Sequence, residues 1–299
     1  LAIIRSMKTK SVDHGIGGYH MHTCYPQSER VPHPEIGAMI AKYCDNPESD
    51  VPSFVKMGAS GNYGAGYLGP KYDPFVLDTN GRLPGFTNPS VKPEVQERRG
   101  ELLKFMEEQH AKEHQARPFA SIREAELQTI RLIRARKVFD VADEWTKARE
   151  RYGDTRFGRG CFTAVKLVEA GVPFIEIGQA GYDSHNDNFT CHKGCLSILD
   201  PAWSSLLQDL EDRGLLKDTL VVWTSEFGRT PLINSQAGRD HFGRAWTVVL
   251  AGGGIRGGQH YGASDPDGCE VADKPVSEGD YFATIYKTLG MNHRKKHYL

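Results

Sequence analysis

Two acid–imidazole pairs in the second half of the chain have the residue types of a metal site. Asp183 is followed two residues later by His185, and Asp240 is followed directly by His241. Carboxylate oxygens and imidazole nitrogens bind divalent metals such as zinc at about 2.0–2.2 Å. An isolated Asp–His pair is more often an ordinary charged surface loop, so the elements that carry the pairs decide between the two interpretations.

Those elements are short apolar runs of the kind that buried strands have. They occupy residues 172–177, 220–224 and 247–250, and polar or glycine-rich loops follow each of them. Open α/β sheets bind ligands at the carboxyl ends of their strands. We therefore expect four side chains to converge there and to form the polar site: Asp183, His185, Glu226 and His241.

Strand-like and helix-like segments alternate along most of the chain. Helical patterns at residues 157–171 and 196–214 separate the apolar runs, which predicts βαβ units and a parallel sheet covered on both faces. Residues 95–153 are strongly charged and helical in composition, so we expect a helical insertion or cap there. The whole chain, residues 1–299, is then one α/β domain with this insertion.

Composition limits the classes of partner. The hydrophobic content of 39% and charged content of 25% are ordinary for a folded protein. A formal net charge of -1 with interleaved signs disfavours a generic nucleic-acid partner. No apolar run approaches the roughly 18 residues that span a bilayer, so we expect no membrane span.

Two other patterns carry little weight. Residues 110–114 read HAKEH, which matches a metalloprotease pattern, but the flanking residues are polar all round and favour a solvated helix. The string GGGIRGG at residues 252–258 follows a strand, yet it runs on without the apolar helix that a dinucleotide-binding fold needs.

Longer motifs carry a family resemblance. SEFGRTP at residues 225–231, GRDHFGRAW at 238–246, LAGGGIRGG at 250–258 and YGASDPDG at 261–268 resemble the domain of unknown function 1501 family. That family is grouped with the alkaline-phosphatase and sulfatase superfamily. The resemblance implies a three-layer α/β sandwich with a mainly parallel sheet, and a metal-dependent hydrolase of phosphate or sulfate esters acting on a small anionic substrate.

The resemblance also assigns site residues. Asp183, His185 and His241 resemble one metal site of the superfamily, and Glu226 stands where a second site has an aspartate. Phe227 takes the place of that second site's histidine and cannot ligate, so at most one divalent metal, zinc or calcium, is expected.

The nucleophile is where the chain departs from the superfamily. The string TCYP at residues 23–26 resembles the end of the nucleophile helix, and counting back puts Asp13 or His14 where relatives keep an alcohol or a cysteine. In the enzyme interpretation, the metal activates water or a group near His14, and Arg229 or Arg239 binds the anionic oxygens. Either arginine is otherwise a structural salt bridge. The alternative is an inactive binding or assembly module that keeps the fold.

The resemblance extends to the context of the chain. Compared with the family, an N-terminal and a C-terminal strand are expected to be missing, and export to the periplasm or the extracellular space is implied. Six cysteines could then include two disulfides, Cys24–Cys44 and Cys191–Cys195, or remain thiols.

Overall fold

The computed structural model describes residues 1–46, 48–58, 61–77 and 141–295, and single positions within 94–105. The helices are α1 His14–Thr23, α2 Ile36–Tyr43, α3 Ala142–Tyr152, α4 Arg156–Glu169, α5 Asn188–Asp212 and α6 Glu278–Thr288. The strands are β1 Ala2–Met7, β2 Phe54–Gly58, β3 Phe75–Leu77, β4 Phe174–Gly178, β5 Leu220–Trp223, β6 Gly228–Arg229, β7 His241–Phe242, β8 Trp246–Gly252, β9 Gln259–Tyr261, β10 Ala263–Ser264 and β11 Val271–Asp273. The chain is mixed α/β.

The chain divides into two compact units. The first unit combines Leu1–His33 with Gln179–Leu299, and the second is Pro34–Gly178. Most of the predicted insertion, including the HAKEH string, lies outside the described residues. Its described end, α3, packs on α4 through Trp145 and Phe162, whose rings are 5.9 Å apart. The single domain and the cap at residues 95–153 stay predictions.

A four-stranded sheet with the order β5-β8-β1-β9 forms the centre of the first unit. Strand β8 runs antiparallel to both of its neighbours, β5 and β1, while β1 and β9 are parallel. Since β8 is paired along both edges and Val248 to Ala251 are all buried, it forms one continuous apolar run. Helix α5 packs on β5 through Trp203 and Trp223, with ring centroids 6.3 Å apart.

This topology corrects part of the predicted sheet. Strands β5 and β8 are neighbours, as expected, but they run antiparallel, and β4 belongs to the sheet of the second unit. The prediction of three neighbouring, mainly parallel strands is therefore wrong. The reason is the connection between β5 and β8, which contains the two-stranded β6–β7 sheet instead of a crossover helix and so returns the chain antiparallel. Apolar runs alone do not encode strand direction.

The second unit contains an all-parallel sheet of order β3-β2-β4. Strand β2 is almost fully buried, and helix α2 approaches it closely at Gly37. A Cβ at Gly37 would lie 2.4 Å from the ring of Phe54 and 2.7 Å from that of Phe174. Only a residue without a side chain allows this contact. A parallel sheet is thus present in this unit, but the predicted βαβ unit through α5 is wrong, because β4 and β5 belong to different sheets.

No helix in the described part of the chain is long and apolar enough to cross a membrane. All six cysteines are free thiols in the structure, so neither of the two disulfides considered from the sequence is formed.

A buried ion pair lies beneath the parallel sheet. The Nζ of Lys56 donates to Glu35 at 2.8 Å and to the carbonyl of Gly61 at 2.6 Å, and it lies 3.3 Å from Glu176. The side chains of Lys56 and Glu35 are only 3% and 1% exposed. Charges removed from water in this way must stay paired, because an unpaired buried charge is costly.

We expect Lys56→Met to lower the free energy of unfolding of the chain by roughly 3–5 kcal/mol, because it removes a buried ammonium that donates to Glu35. Urea denaturation followed by circular dichroism measures this change. The control is Arg149→Met, which removes an exposed ion pair with Asp154 in the same unit and should cost about 0–1 kcal/mol. Equal effects of the two substitutions would contradict a structural role for the buried pair.

Candidate functional site

The polar side chains singled out from the sequence lie together in the first unit. The loop before α5 carries Asp183 and His185, and the connection between β5 and β8 carries the residues from Glu226 to His241. His14 is the first residue of α1. The Nε2 of His241 lies 3.1 Å from the Oδ1 of Asp183, so segments far apart in sequence meet at one point.

The carboxylate of Asp183 is the centre of this cluster. Its Oδ1 lies 3.1 Å from the Nε2 of His185 and 3.1 Å from the Nε2 of His241, and its Oδ2 lies 3.2 Å from the Nε2 of His14. Arg229 donates a hydrogen bond from Nη2 to the same Oδ1. One carboxylate therefore has three imidazoles and one guanidinium around it.

Each imidazole is held through its other ring nitrogen. The Nδ1 of His14 contacts Glu226, that of His185 contacts Asp240 at 3.0 Å, and that of His241 contacts the carbonyl of Val12 at 2.6 Å. These partners only accept hydrogen bonds, so each Nδ1 carries a proton and donates it. In a neutral ring, the Nε2 lone pair then points into the cluster.

The sequence reasoning did not anticipate that Phe227 and Val12 help to place these rings. Phe227 is buried, and its ring packs 5.2 Å from His14 and 4.7 Å from His241. It also packs against α1 at Gly17, where a Cβ would lie 3.1 Å from the ring. A phenylalanine that cannot ligate therefore fixes two imidazoles that can.

The two loops that hold His185 and Asp240 are joined by hydrogen bonds of the Asn234 side chain. Asn234 donates from Nδ2 to the carbonyl of His185 at 3.0 Å and to the Oδ1 of Asp240 at 3.2 Å. Its Oδ1 accepts from the backbone N–H of Gly238 at 2.9 Å. The Asn234 side chain therefore links the loop of His185 to the loop of Asp240. In the sequence, the only sign of this role is its position in a loop rich in small polar residues.

The two predicted anion-binding arginines differ in their surroundings. Arg229 donates hydrogen bonds to Asp183 and, at 3.2 Å, to the carbonyl of Arg239. Its Nη1 also lies 3.5 Å from the Nε2 of His185. Arg239 donates from Nη1 to the carbonyl of Pro231 at 2.6 Å, which closes the loop. Arg229 thus faces the cluster, whereas Arg239 is engaged by the backbone of its own loop.

Hydrogen bonds shift the pKa values of the central groups. The hydrogen bond with Glu226 raises the pKa of His14 above its ordinary value, although desolvation opposes the shift. Desolvation would raise the pKa of Asp183, but the hydrogen bond from Arg229 and the contact with His241 outweigh it and hold the pKa well below its usual range. The hydrogen bond from His185 lowers the pKa of Asp240. Around neutral pH, Asp183 and Asp240 are therefore ionised.

A sequence model described as a protein of unknown function (DUF1501) matches residues 1–299, the full length of the chain. The chain belongs to this family. No curated protein matches the chain, and no solved structure does either. Membership in DUF1501 names no activity, so function has to be argued from the cluster itself.

The cluster has the donor atoms and spacing of a metal site. One ligand atom each from His14, Asp183 and His241 lie within 4.8 Å of one another. The Nε2 atoms of His185 and His241 are 3.0 Å apart, and two lone pairs this close need a proton or a cation between them. Nitrogen donors suit zinc, whereas calcium takes oxygen ligands. The predicted ligand Glu226 contacts the Nδ1 of His14, on the side of the ring away from Asp183, so it holds that imidazole instead of adding a donor to the cluster.

We expect the pKa of His14 in chelator-treated protein to lie above 6.5, because Glu226 stabilises the imidazolium. A raised pKa means that this pair stabilises the fold fully below about pH 6.5 and loses its contribution as the pH rises through the folded-state pKa. NMR titration of the ring resonances measures the value, and Glu226→Gln should lower it. Glu270→Gln, which removes a carboxylate paired with Lys8 and Arg244, is the control and should leave it unchanged.

We expect Gly238→Ala to displace His185 from the cluster, because a Cβ at residue 238 would lie 1.7 Å from the carbonyl oxygen of His185. The free energy of unfolding should fall by about 2 kcal/mol or more, and the ring signals of His185 should shift. Gly194→Ala is the matched control. Position 194 lies within α5, where an added Cβ would meet nothing within 4 Å, so alanine should be neutral or stabilising by up to about 1 kcal/mol. An unchanged His185 in Gly238→Ala would contradict the close contact.

Proposed function

We propose that the chain is a metal-dependent hydrolase of phosphate or sulfate esters, built on a three-layer alkaline-phosphatase-like sandwich. The observation that carries the proposal is the orientation of the three imidazoles, whose Nε2 atoms all lie within 3.2 Å of Asp183. The motif resemblance supplies the reaction class.

The residues that would hold the metal are Asp183, His185 and His241, with His14 adjoining them. A bound divalent ion would supply a Lewis acid for the ester oxygen and lower the pKa of a bound water. The chain's own residues orient the site: Asp240 and the carbonyl of Val12 fix the tautomers of His185 and His241. Arg229 holds Asp183 ionised and brings positive charge to the place where an anionic ester would enter.

The second candidate function is an exported binding or assembly module without activity. The specific observation in its favour is the ion pair between Arg229 and Asp183, since a guanidinium already neutralises the central carboxylate. A second observation in favour of the binding module is the start of α1, where Asp13 and His14 stand in place of an alcohol. Export itself rests on the family resemblance.

Turnover of aryl phosphates and aryl sulfates, measured with and without added zinc, tests the hydrolase. We expect zinc-dependent hydrolysis of at least one ester class, and a loss of about 100-fold or more, together with loss of the metal, in Asp183→Asn, because that substitution removes the charge that the donors share. Asp218→Asn, at a side chain that is 79% exposed, is the control and should keep both.

The outcomes separate the two candidates. Protein that binds no metal and turns over no ester contradicts the hydrolase and favours the binding module. Metal binding without turnover keeps the metal site and contradicts the reaction class.

A further inference from the structure

We propose that His14 is a metal ligand, positioned by Glu226, and that it binds the same ion as Asp183 and His241. This rests on the metal-binding half of the proposed function and assigns His14 a role other than nucleophile or general base. The residue opens α1 and comes from a part of the chain far from the Asp183 and Asp240 loops. A third segment of the chain thus contributes to the site.

The spacing of the donor atoms supports this assignment. Ligands at about 2.0–2.1 Å from a tetrahedral zinc lie about 3.3 Å from one another. The His14 Nε2 lies 3.2 Å from the Oδ2 of Asp183, next to the contacts of 3.1 and 3.1 Å that His185 and His241 make with the Oδ1. The distance from His14 to Asp183 therefore matches the ligand-to-ligand distance of a zinc site as well as the corresponding distances of His185 and His241 do.

The support of the ring is the second argument. Metal-binding histidines donate their other N–H to a carboxylate or a carbonyl, which fixes the tautomer and strengthens the ligand. His14 has Glu226 in this place, as His185 has Asp240 and His241 has the carbonyl of Val12. Phe227 packs beside His14, so the ring has a fixed orientation as well.

The competing role for His14 is a general base or a nucleophile. In that role the Nε2 would have to be open toward a substrate, whereas in this structure it faces Asp183 and its ring lies edge-on to His241 at 4.4 Å between centroids. The three donors His14, Asp183 and His241 already satisfy the mutual spacing of a single ion. His185 lies 3.1 Å from Asp183 and 3.0 Å from His241 but is not among the three donors that share this spacing, so a fourth position of a tetrahedral zinc stays open for a water or an ester oxygen. Removing His14 should consequently weaken metal binding and open one more coordination position on the ion.

Cobalt titration tests the assignment, because Co²⁺ replaces zinc and its visible absorption reports on its coordination. We expect His14→Ala to weaken Co²⁺ binding by about 100-fold and to change the absorption bands, and Glu226→Gln to weaken it by about 10-fold, within the range for the partners of ligands. His192→Ala is the matched control, because its ring in α5 donates to the carbonyl of Asn188. It should bind Co²⁺ like the unaltered chain. Circular dichroism checks that each variant is folded.

Three results separate this proposal from the proposed function. Co²⁺ binding that His14→Ala leaves unchanged, in affinity and in spectrum, overturns the role of His14 while the hydrolase stands. Weakened binding in both His14→Ala and Glu226→Gln supports the ligand whatever the turnover. If the unaltered chain binds no Co²⁺ at all, both proposals fail together, because the cluster is then not a metal site with or without His14.

Discussion

The carboxylate of Asp183 is the constraint on which the site depends. Four donors surround it, and they come from the start of α1, the loop before α5 and the connection between β5 and β8. None of these segments is a neighbour of another in sequence. Desolvation would raise the pKa of this carboxylate, but the hydrogen bond and the positive charge of Arg229 lower it and keep the carboxylate ionised. The ionised form of Asp183 therefore couples the placement of α1 to the placement of the two loops.

The connection between β5 and β8 carries the site because it does not cross over. Residues 224–245 leave the sheet, form the short β6–β7 pair and return antiparallel, so the whole segment is free to hold functional side chains. The polar residues of this connection are held by hydrogen bonds within it. Asn234 and Arg239 supply them through backbone carbonyls, and Gly238 lets the loop approach His185 more closely than any other residue would.

The meeting of the polar side chains could be predicted from the sequence, whereas the direction of the strands could not. Asp183, His185 and His241 stand out because two acid–imidazole pairs follow apolar runs, and alternating helical and apolar segments indicate the mixed α/β class but not which strands share a sheet. The antiparallel pairing of β5 with β8 could not be read from apolar runs, which have no direction. The acceptor for His241 could not be found at all, because a backbone carbonyl such as that of Val12 has no residue-specific signature. Glu226 was correctly placed near the site, but a carboxylate is equally suited to bind a metal or to support a ligand.

The charges of the cluster decide what can bind to it. Asp183, Glu226 and Asp240 bring three negative charges, and Arg229 brings one positive charge, whereas Arg239 is engaged by the carbonyls of its own loop. With neutral imidazoles, two negative charges are uncompensated, and such a cluster repels an anionic ester at the point where Arg229 would receive it. Protonation of His14 would cancel only one of these charges, whereas a divalent cation would cancel both and remove the repulsion. In the proposed hydrolase, metal binding would therefore have to precede the binding of an anionic ester.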